Sequence, residues 1–419
     1  MKPEHVRDAV SSHRDELYQL ALDLVSTPSV TGSENDAQDL LAERLRQWGL
    51  DVDLWTIDPG ITAHEAYCDD GLPVERKNLV ARWGAAEETA ALILNGHIDV
   101  VPSGDPSLWS NDPFGARIHD GALSGRGACD MKGGLAACCV AVKVAMSLGI
   151  TPKRPILIQS VIGEETGGLG TLASIERGYR ADGVVIAEPT SLDMCPVQAG
   201  ALSFRLHVKG KAAHGAMRDW GVSAIEKFVP ILKGLSGFEH ERHESFRHPF
   251  YEEGSLVAPI SIGTVEAGNW PSTVPDELVA SGRYGVFPGE DVAEARRAFE
   301  SSVRACARDD AWLADNPVEV EWFEGQFEPG ETAPEDPLLR DLAECHEAIQ
   351  GGAPAVHGVS YGSDLRLFTR HGGMPAVLYG PGDVALAHAA NEWLPIDELE
   401  RATEIYTLLI ANKLDAPDR

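Results

Sequence analysis

The chain has no long apolar run. Its longest uncharged apolar stretch, Leu135 to Val142, stops at Lys143 and is far too short to span a bilayer, which excludes a membrane-spanning helix there. Basic residues are also scarce: 35 Lys and Arg face 65 Asp and Glu in 419 residues, a formal net charge of −30. A surface this negative repels phosphate backbones and excludes nucleic acid as a partner. The acidity itself reads as a solvated surface. The seven cysteines form no CxxC pair, and Cys138 and Cys139 are adjacent inside an apolar stretch. That usage excludes a disulfide framework and fits reduced, buried thiols. The opening MKPEHVRDAVSSHRDELYQL has no apolar core, so no secretory signal is expected, and the protein is expected to be cytoplasmic, with no membrane partner. Neither internal repeats nor low-complexity segments stand out.

What is present is a chain long enough for two domains with large cores. Val6–Val25 and Ala37–Trp48 carry apolar residues at helical spacing, parted by the turn-rich TPSVTGSEN. Short β-like runs follow at Val52–Ile57, Asn78–Arg82, Ala91–Leu94, Ile156–Val161 and Val184–Ile186, with a small-residue helix expected at Lys132–Leu148. Buried strands alternating with helices predict an α/β fold, a mostly parallel sheet flanked by helices. From about Ala201 the pattern changes to alternating strands (ALSFRLHVKG, LVAPISIGTVEAG, DELVASGRYGVF) with helices at Ala224–Leu235 and Val292–Arg308. This predicts an inserted α+β domain at 199–313, with residues 1–198 and 314–419 forming the discontinuous catalytic domain. The chain ends in a helix from Ile396.

Five potential metal ligands sit in separate settings: His97 in LILNGHIDVVP, Asp130 in GRGACDMKGG, Glu165 in VIGEETGG, Glu188 in VIAEPT and His388 in LAHAANEWLP. Two imidazoles and three carboxylates form an N/O donor set suited to zinc, cobalt or manganese. His97 and Asp99 are two apart beyond a strand, so in extended backbone they point the same way, and a carboxylate there can orient a metal-bound imidazole. Asp130 lies among glycines at a strand-to-helix turn, where it serves equally well as a helix N-cap. Glu164 and Glu165 follow a buried strand. Two carboxylates so close ionise together only beside a cation, leaving one suited to acid–base work; the alternative is an exposed acidic turn. Glu188 again ends a buried strand, where α/β sheets collect their sites. His388 on its own reads as a structural histidine.

Taken together, GHIDVVP, WSNDPFGARIHDGALSGRGACDMKGG, GEETGG and AEPT, in this order and spacing, resemble the M20 peptidases, the aminoacylase, acetylornithine deacetylase and desuccinylase family. The resemblance runs from TPSVTGSEN to HAANEWLPIDEL. It implies a zinc-peptidase-like catalytic domain carrying two divalent ions, Zn²⁺ foremost with Co²⁺ or Mn²⁺ as alternatives. His97, Asp130 and Glu188 would hold one ion, and Asp130, Glu165 and His388 the other, with Asp130 bridging. Asp99 would orient His97, Glu164 would be the general base, and the Asp130–Met131 peptide would be cis. The inserted domain would act as a lid and as the interface of a homodimer.

The same resemblance gives His214, in KGKAAHGAM, as a lid donor to the tetrahedral oxygen, reaching across from the partner subunit. Met217 and Arg218 stand where many relatives carry a proline. Asn269 in AGNWPSTVPDE and Arg283 in ASGRYGVFPGE match positions that hold the substrate, as do Gly362 and Arg366 in YGSDLRLF, where Tyr361 and Gly362 depart from the family pattern. The implied reaction is removal of an N-acyl group from an amino-acid-like substrate, as by an acetylornithine deacetylase or aminoacylase. The alternatives are a dipeptidase or carboxypeptidase acting on a short peptide, and a non-catalytic homologue.

Overall fold

The structure is a computed structural model, and it describes residues 1–86, 89–308 and 310–415. These form two compact units. The first comprises Met1–Val197, Glu331–His357 and the described residues from Ser363 onward; the second comprises Gln198–Gly330 and Gly358–Gly362. No helix among the described residues is long and apolar enough to cross a membrane.

In chain order the main strands are β1 (Asp51–Thr56), β2 (Lys77–Trp83), β3 (Leu92–His97), β4 (Ile156–Val161) and β5 (Val184–Ile186). Then come β6 (Gly200–Lys209), β7 (Ile260–Ala267), β8 (Glu277–Val286), β9 (Glu319–Phe327) and β10 (Ala376–Leu378). The helices are α1 (Pro3–Ser12), α2 (Arg14–Ser26), α3 (Asn35–Gln47), α4 (Gly133–Ser147), α5 (Leu169–Glu176), α6 (Ala224–Ser245), α7 (Val292–Cys306), α8 (Pro337–Gln350) and α9 (Ile396–Asp415).

In the first unit the sheet runs β1-β2-β4-β3-β5-β10 and continues past β10 through Met194–Gln198, which pairs with it antiparallel. The four strands β4, β3, β5 and β10 are parallel, while β1 and β2 pair antiparallel at one side. The parallel strands are buried throughout, as strands are when helices cover both faces; Ile, Leu and Val dominate them, with Asn95 and Gln159 buried and paired among these. Helix α4 lies on β3, with α2 and α9 against it, and α3 and α5 pack on β2. Its small residues permit this. A Cβ added to Gly134 would sit 2.2 Å from the Ala187 carbonyl oxygen, so only glycine lets the helix approach the end of β5. The single helical span expected over Val6–Val25 is two helices, because the chain leaves helical geometry at His13 (φ −109°, ψ 13°). Neither proline nor glycine marks that break.

The second unit is an antiparallel sheet in the order β7-β8-β6-β9. Every other residue of β6 is buried: Leu202, Phe204, Leu206 and Val208 enter a core with Phe228, Ile231, Tyr284, Phe299 and Val303 from β8, α6 and α7. Each such side chain contributes about 1.5–3 kcal/mol of burial. Helix α6 starts at Ser223, whose hydroxyl accepts the Glu226 N–H at 3.3 Å. The unit reaches Gly330, beyond the expected limit at 313, because β9 pairs along β6 (Glu319 with His207 through Phe327 with Ala201) and so completes this sheet.

Candidate metal centre

The parallel sheet delivers the site. His97 is the last residue of β3, Glu164 and Glu165 follow β4, Glu188 is two residues past β5, and His388 lies in the connection that follows β10. Four adjacent strands thus end at one place, and Asp130 reaches it from the turn that opens α4. Sites in α/β sheets form where strand carboxyl ends expose side chains above a rigid floor.

Asp130 joins the set. One of its carboxylate oxygens lies 2.9 Å from His97 Nε2 and the other 3.4 Å from His388 Nε2. His97 Nε2 also faces Glu188 at 3.9 Å, and His388 Nε2 faces Glu165 at 3.0 Å. Possible ligand atoms of His97, Glu164 and Glu188 lie within 4.8 Å of one another, as do those of His97, Asp130 and Glu165. The Asp130–Met131 peptide is cis.

Electrostatics agree with a site built for cations. Burial, then Glu188 and Asp364, push the Glu164 carboxyl well above its ordinary range, and burial with Asp130 does the same to Glu188. Burial raises Glu165 as well. Burial opposes ionisation of Asp130 too, yet hydrogen bonds from His388 and His97 outweigh it and hold that carboxyl low. Those with Asp130 and Glu165 raise His388 to about 10. Four carboxyl groups therefore meet two imidazoles, and with all four ionised the cluster would stay negative even with both imidazoles protonated, a charge that bound cations would offset. Two nitrogens and three or more oxygens around a shared carboxylate fit a pair of divalent ions.

Asp99 departs from expectation. His97 Nδ1 bonds the backbone carbonyl of Asp99 at 2.9 Å, with the carboxylate 3.7 Å away. The carboxylate instead accepts the backbone N–H groups of Glu164 (3.2 Å) and Glu165 (3.3 Å) and the Thr31 hydroxyl (3.1 Å). It orders the Glu164–Glu165 turn.

Arg366 is buried, and its Nη2 donates to the Gly167 carbonyl at 2.8 Å, behind the same turn. Gly362, in the second unit, has a packing reason: a Cβ there would lie 2.6 Å from the Phe327 ring. In that unit His214 is exposed in a two-residue strand opposite Thr273, and its Nδ1 accepts the Ala216 N–H at 3.2 Å. Asn269 lies in the exposed turn just before Thr273. Arg283, on β8, donates Nη2 to the Ser360 carbonyl.

Several residues of the site escaped the sequence reading. Buried Asp364 accepts the Thr171 hydroxyl at 2.6 Å, and burial pushes its carboxyl up to about 6. Arg126 and Glu392 form a buried ion pair at 2.6 Å beneath the Asp130 turn. Both lie inside recognisable motifs, GRGACDMKGG and HAANEW, but nothing local pairs them.

A model described as peptidase family M20/M25/M40 matches residues 93–412. The chain is 30% identical over 421 residues to an N-formyl-4-amino-5-aminomethyl-2-methylpyrimidine deformylase of Bacillus subtilis, covering 94% of each chain. It is 29% identical over 360 residues to an acetylornithine deacetylase of Myxococcus xanthus, covering 84% of this chain and 88% of that one. Among solved structures, a Bacillus subtilis protein described as a dinuclear metal-binding peptidase of the M20 family superposes with a TM-score of 0.64 at 16% identity, over 97% of this chain and 99% of that one.

Proposed function

This chain belongs to peptidase family M20/M25/M40, hydrolases of amide bonds, and on that premise we propose that it is a two-metal amidohydrolase that removes a small N-acyl group from an amine, amino-acid-like or heteroaromatic. The observation that carries the reading is the shared carboxylate of Asp130, with a different histidine at each oxygen and Glu164 buried alongside. His97, Asp130 and Glu188 hold one ion in this reading, and Asp130, Glu165 and His388 the other. Zinc suits the donors, as do cobalt and manganese. Deacylation is favoured over peptide cleavage because two relatives matched along most of their length are named for removing formyl and acetyl groups.

Divalent ions on these ligands would supply the Lewis acidity that acidifies a water and polarises an amide carbonyl. The chain's own part begins with Glu164. Buried beside the proposed ion ligands, its carboxylate takes a proton from the attacking water as the C–O bond forms. It then hands that proton to the nitrogen as the C–N bond breaks, giving a carboxylic acid and a free amine. Asp99 sets the angle of Glu164 through the backbone N–H.

His214 is assigned as the donor to the tetrahedral oxygen, supplied by a second copy. Asn269 and Arg283 are assigned to the substrate. The exposed stripe Ile225, Val229 and Leu232 on α6, beside the exposed edge strand β7, supports a homodimer formed through the second unit.

The test is amine release by zinc- or cobalt-loaded protein from N-formyl and N-acetyl amino acids, N-formyl aminomethyl-pyrimidines and dipeptides. Chelated and Glu164→Gln samples run beside it. Release from one acyl series, abolished by chelation and slowed about 10²–10⁴-fold by Glu164→Gln, is the expected result. Glu164→Gln as active as wild type would refute the assignment, and preferred cleavage of dipeptides would make the protein a peptidase.

A further inference from the structure

Asp130 and His388 must be held together by something other than chain connectivity, since 258 residues separate them. His388 in particular is exposed over 55% of its side chain and sits in left-handed backbone, φ +61°, on an irregular connection. The chain between Leu378 and Trp393 has only short turns, so local structure does little to hold the imidazole in place.

One carboxylate does what the loops cannot. Glu392, 1% exposed, directs Oε2 to Arg126 Nη1 at 2.6 Å and to the Gly127 N–H at 3.1 Å. Its other oxygen accepts the Cys129 N–H at 2.8 Å and the Asp130 N–H at 3.0 Å. Three backbone donors of the Asp130 turn, those of Gly127, Cys129 and Asp130, thus converge on one side chain. Arg126, itself 2% exposed, spends Nη2 on the carbonyl of His388 at 3.3 Å. Below the pair, the Gly125 N–H bonds the Glu392 carbonyl at 3.1 Å, and Trp393 pairs with Ser124 across a short ladder.

We propose that the Arg126–Glu392 pair is the positioning device of the metal centre, locking the Asp130 turn to the His388 loop so that one carboxylate is presented to two ions. The inference rests on the metal-centre reading above. Glu392 reaches the Asp130 turn, on which both ions depend. Arg126 reaches the carbonyl of His388, on which only one depends. The two residues therefore make different demands, and a pair serving the fold alone would not. Buried charges of this kind add little net stability against an apolar pair, so a positional role accounts better for keeping them.

The experiment titrates metal-free wild type, Glu392→Gln and Arg126→Lys with zinc ions by calorimetry and with cobalt ions by visible spectra. Unfolding midpoints of the metal-free proteins are measured alongside. Arg126→Lys keeps the charge opposite Glu392 but gives up the forked reach to His388. It is expected to weaken one equivalent about 10–100-fold and to leave the other unchanged. Glu392→Gln is expected to weaken both, and to alter the cobalt spectrum of whatever remains bound. Unchanged affinities with lowered metal-free midpoints would make the pair merely structural and overturn the inference. Wild type that takes up two ions, with an Arg126→Lys variant identical to it, overturns the inference alone; wild type that takes up none overturns the metal-centre reading with it.

Discussion

Replacing Asp99 separates two tasks that the sequence merges. Its carboxylate is fully buried and accepts the N–H groups of Glu164 and Glu165 at 3.2 and 3.3 Å, while His97 is held by the Asp99 backbone carbonyl at 2.9 Å. Asp99→Asn keeps the carbonyl and one acceptor oxygen, but turns an amide nitrogen toward one of the two N–H groups. A buried donor left unmet costs about 1–3 kcal/mol, so the metal-free variant should lose about that much stability. Asp99→Ala strands both donors, for about 2–6 kcal/mol. The active turn then drifts. An error of about 1 Å in the position of Glu164 is enough to slow turnover about 10²-fold. The expected pattern for Asp99→Asn is therefore a fall in kcat of about 10–100-fold with KM little changed and two ions still bound per chain. Denaturant midpoints, metal analysis after gel filtration and amine-release kinetics would read the three quantities separately. A variant that lost an ion yet kept wild-type kcat when resaturated would refute the reasoning, because it would mean that the carboxylate orients His97 and that the turn holds itself.

Two further perturbations follow from the packing and the charges. Asp53 is bound by Arg177 Nε at 2.7 Å and by the Tyr179 hydroxyl at 2.6 Å; burial raises its carboxyl, but these bonds prevail and hold it below its ordinary value. A carboxyl depressed in the folded state stabilises above its unfolded pKa and ceases to do so as pH falls through the folded one. The gap in urea midpoint between wild type and Asp53→Asn should be constant near neutrality and close in acid; a gap that widens in acid refutes the assignment. Gly134→Ala would press a methyl group onto the Ala187 carbonyl, 2.2 Å away, costing about 1–3 kcal/mol and displacing Glu188, so that calorimetry should show weaker metal binding as well. Gly237→Ala on the open side of α6, with nothing within 4 Å, is the control and should be neutral or slightly stabilising.

The parts of the fold legible in the sequence are those whose signal is local. β4 and β5 are short runs rich in branched apolar residues, and the proposed ligands Glu165 and Glu188 follow their ends, so strand and candidate site announce each other. β6 alternates because one of its faces is wet. The rest depends on partners far away along the chain. Nothing near 313 says that β9 will pair with β6, for the strand's reason to belong to the second unit lies on another strand. Arg366 is a second case: its place beside a motif does not show that its guanidinium bonds a carbonyl 199 residues earlier. Glu392 and Arg126, 266 residues apart, are the same case at the centre of the site. The residue types suited to a metal are therefore readable from the sequence, because a metal demands particular donors. Ligand placement is not, because it is imposed by buried hydrogen bonds whose two ends share no sequence neighbourhood. On the positioning role proposed for Glu392, a chain that kept all five proposed ligands would still bind its ions more weakly once that one carboxylate was changed, because the Asp130 turn would lose its shared acceptor.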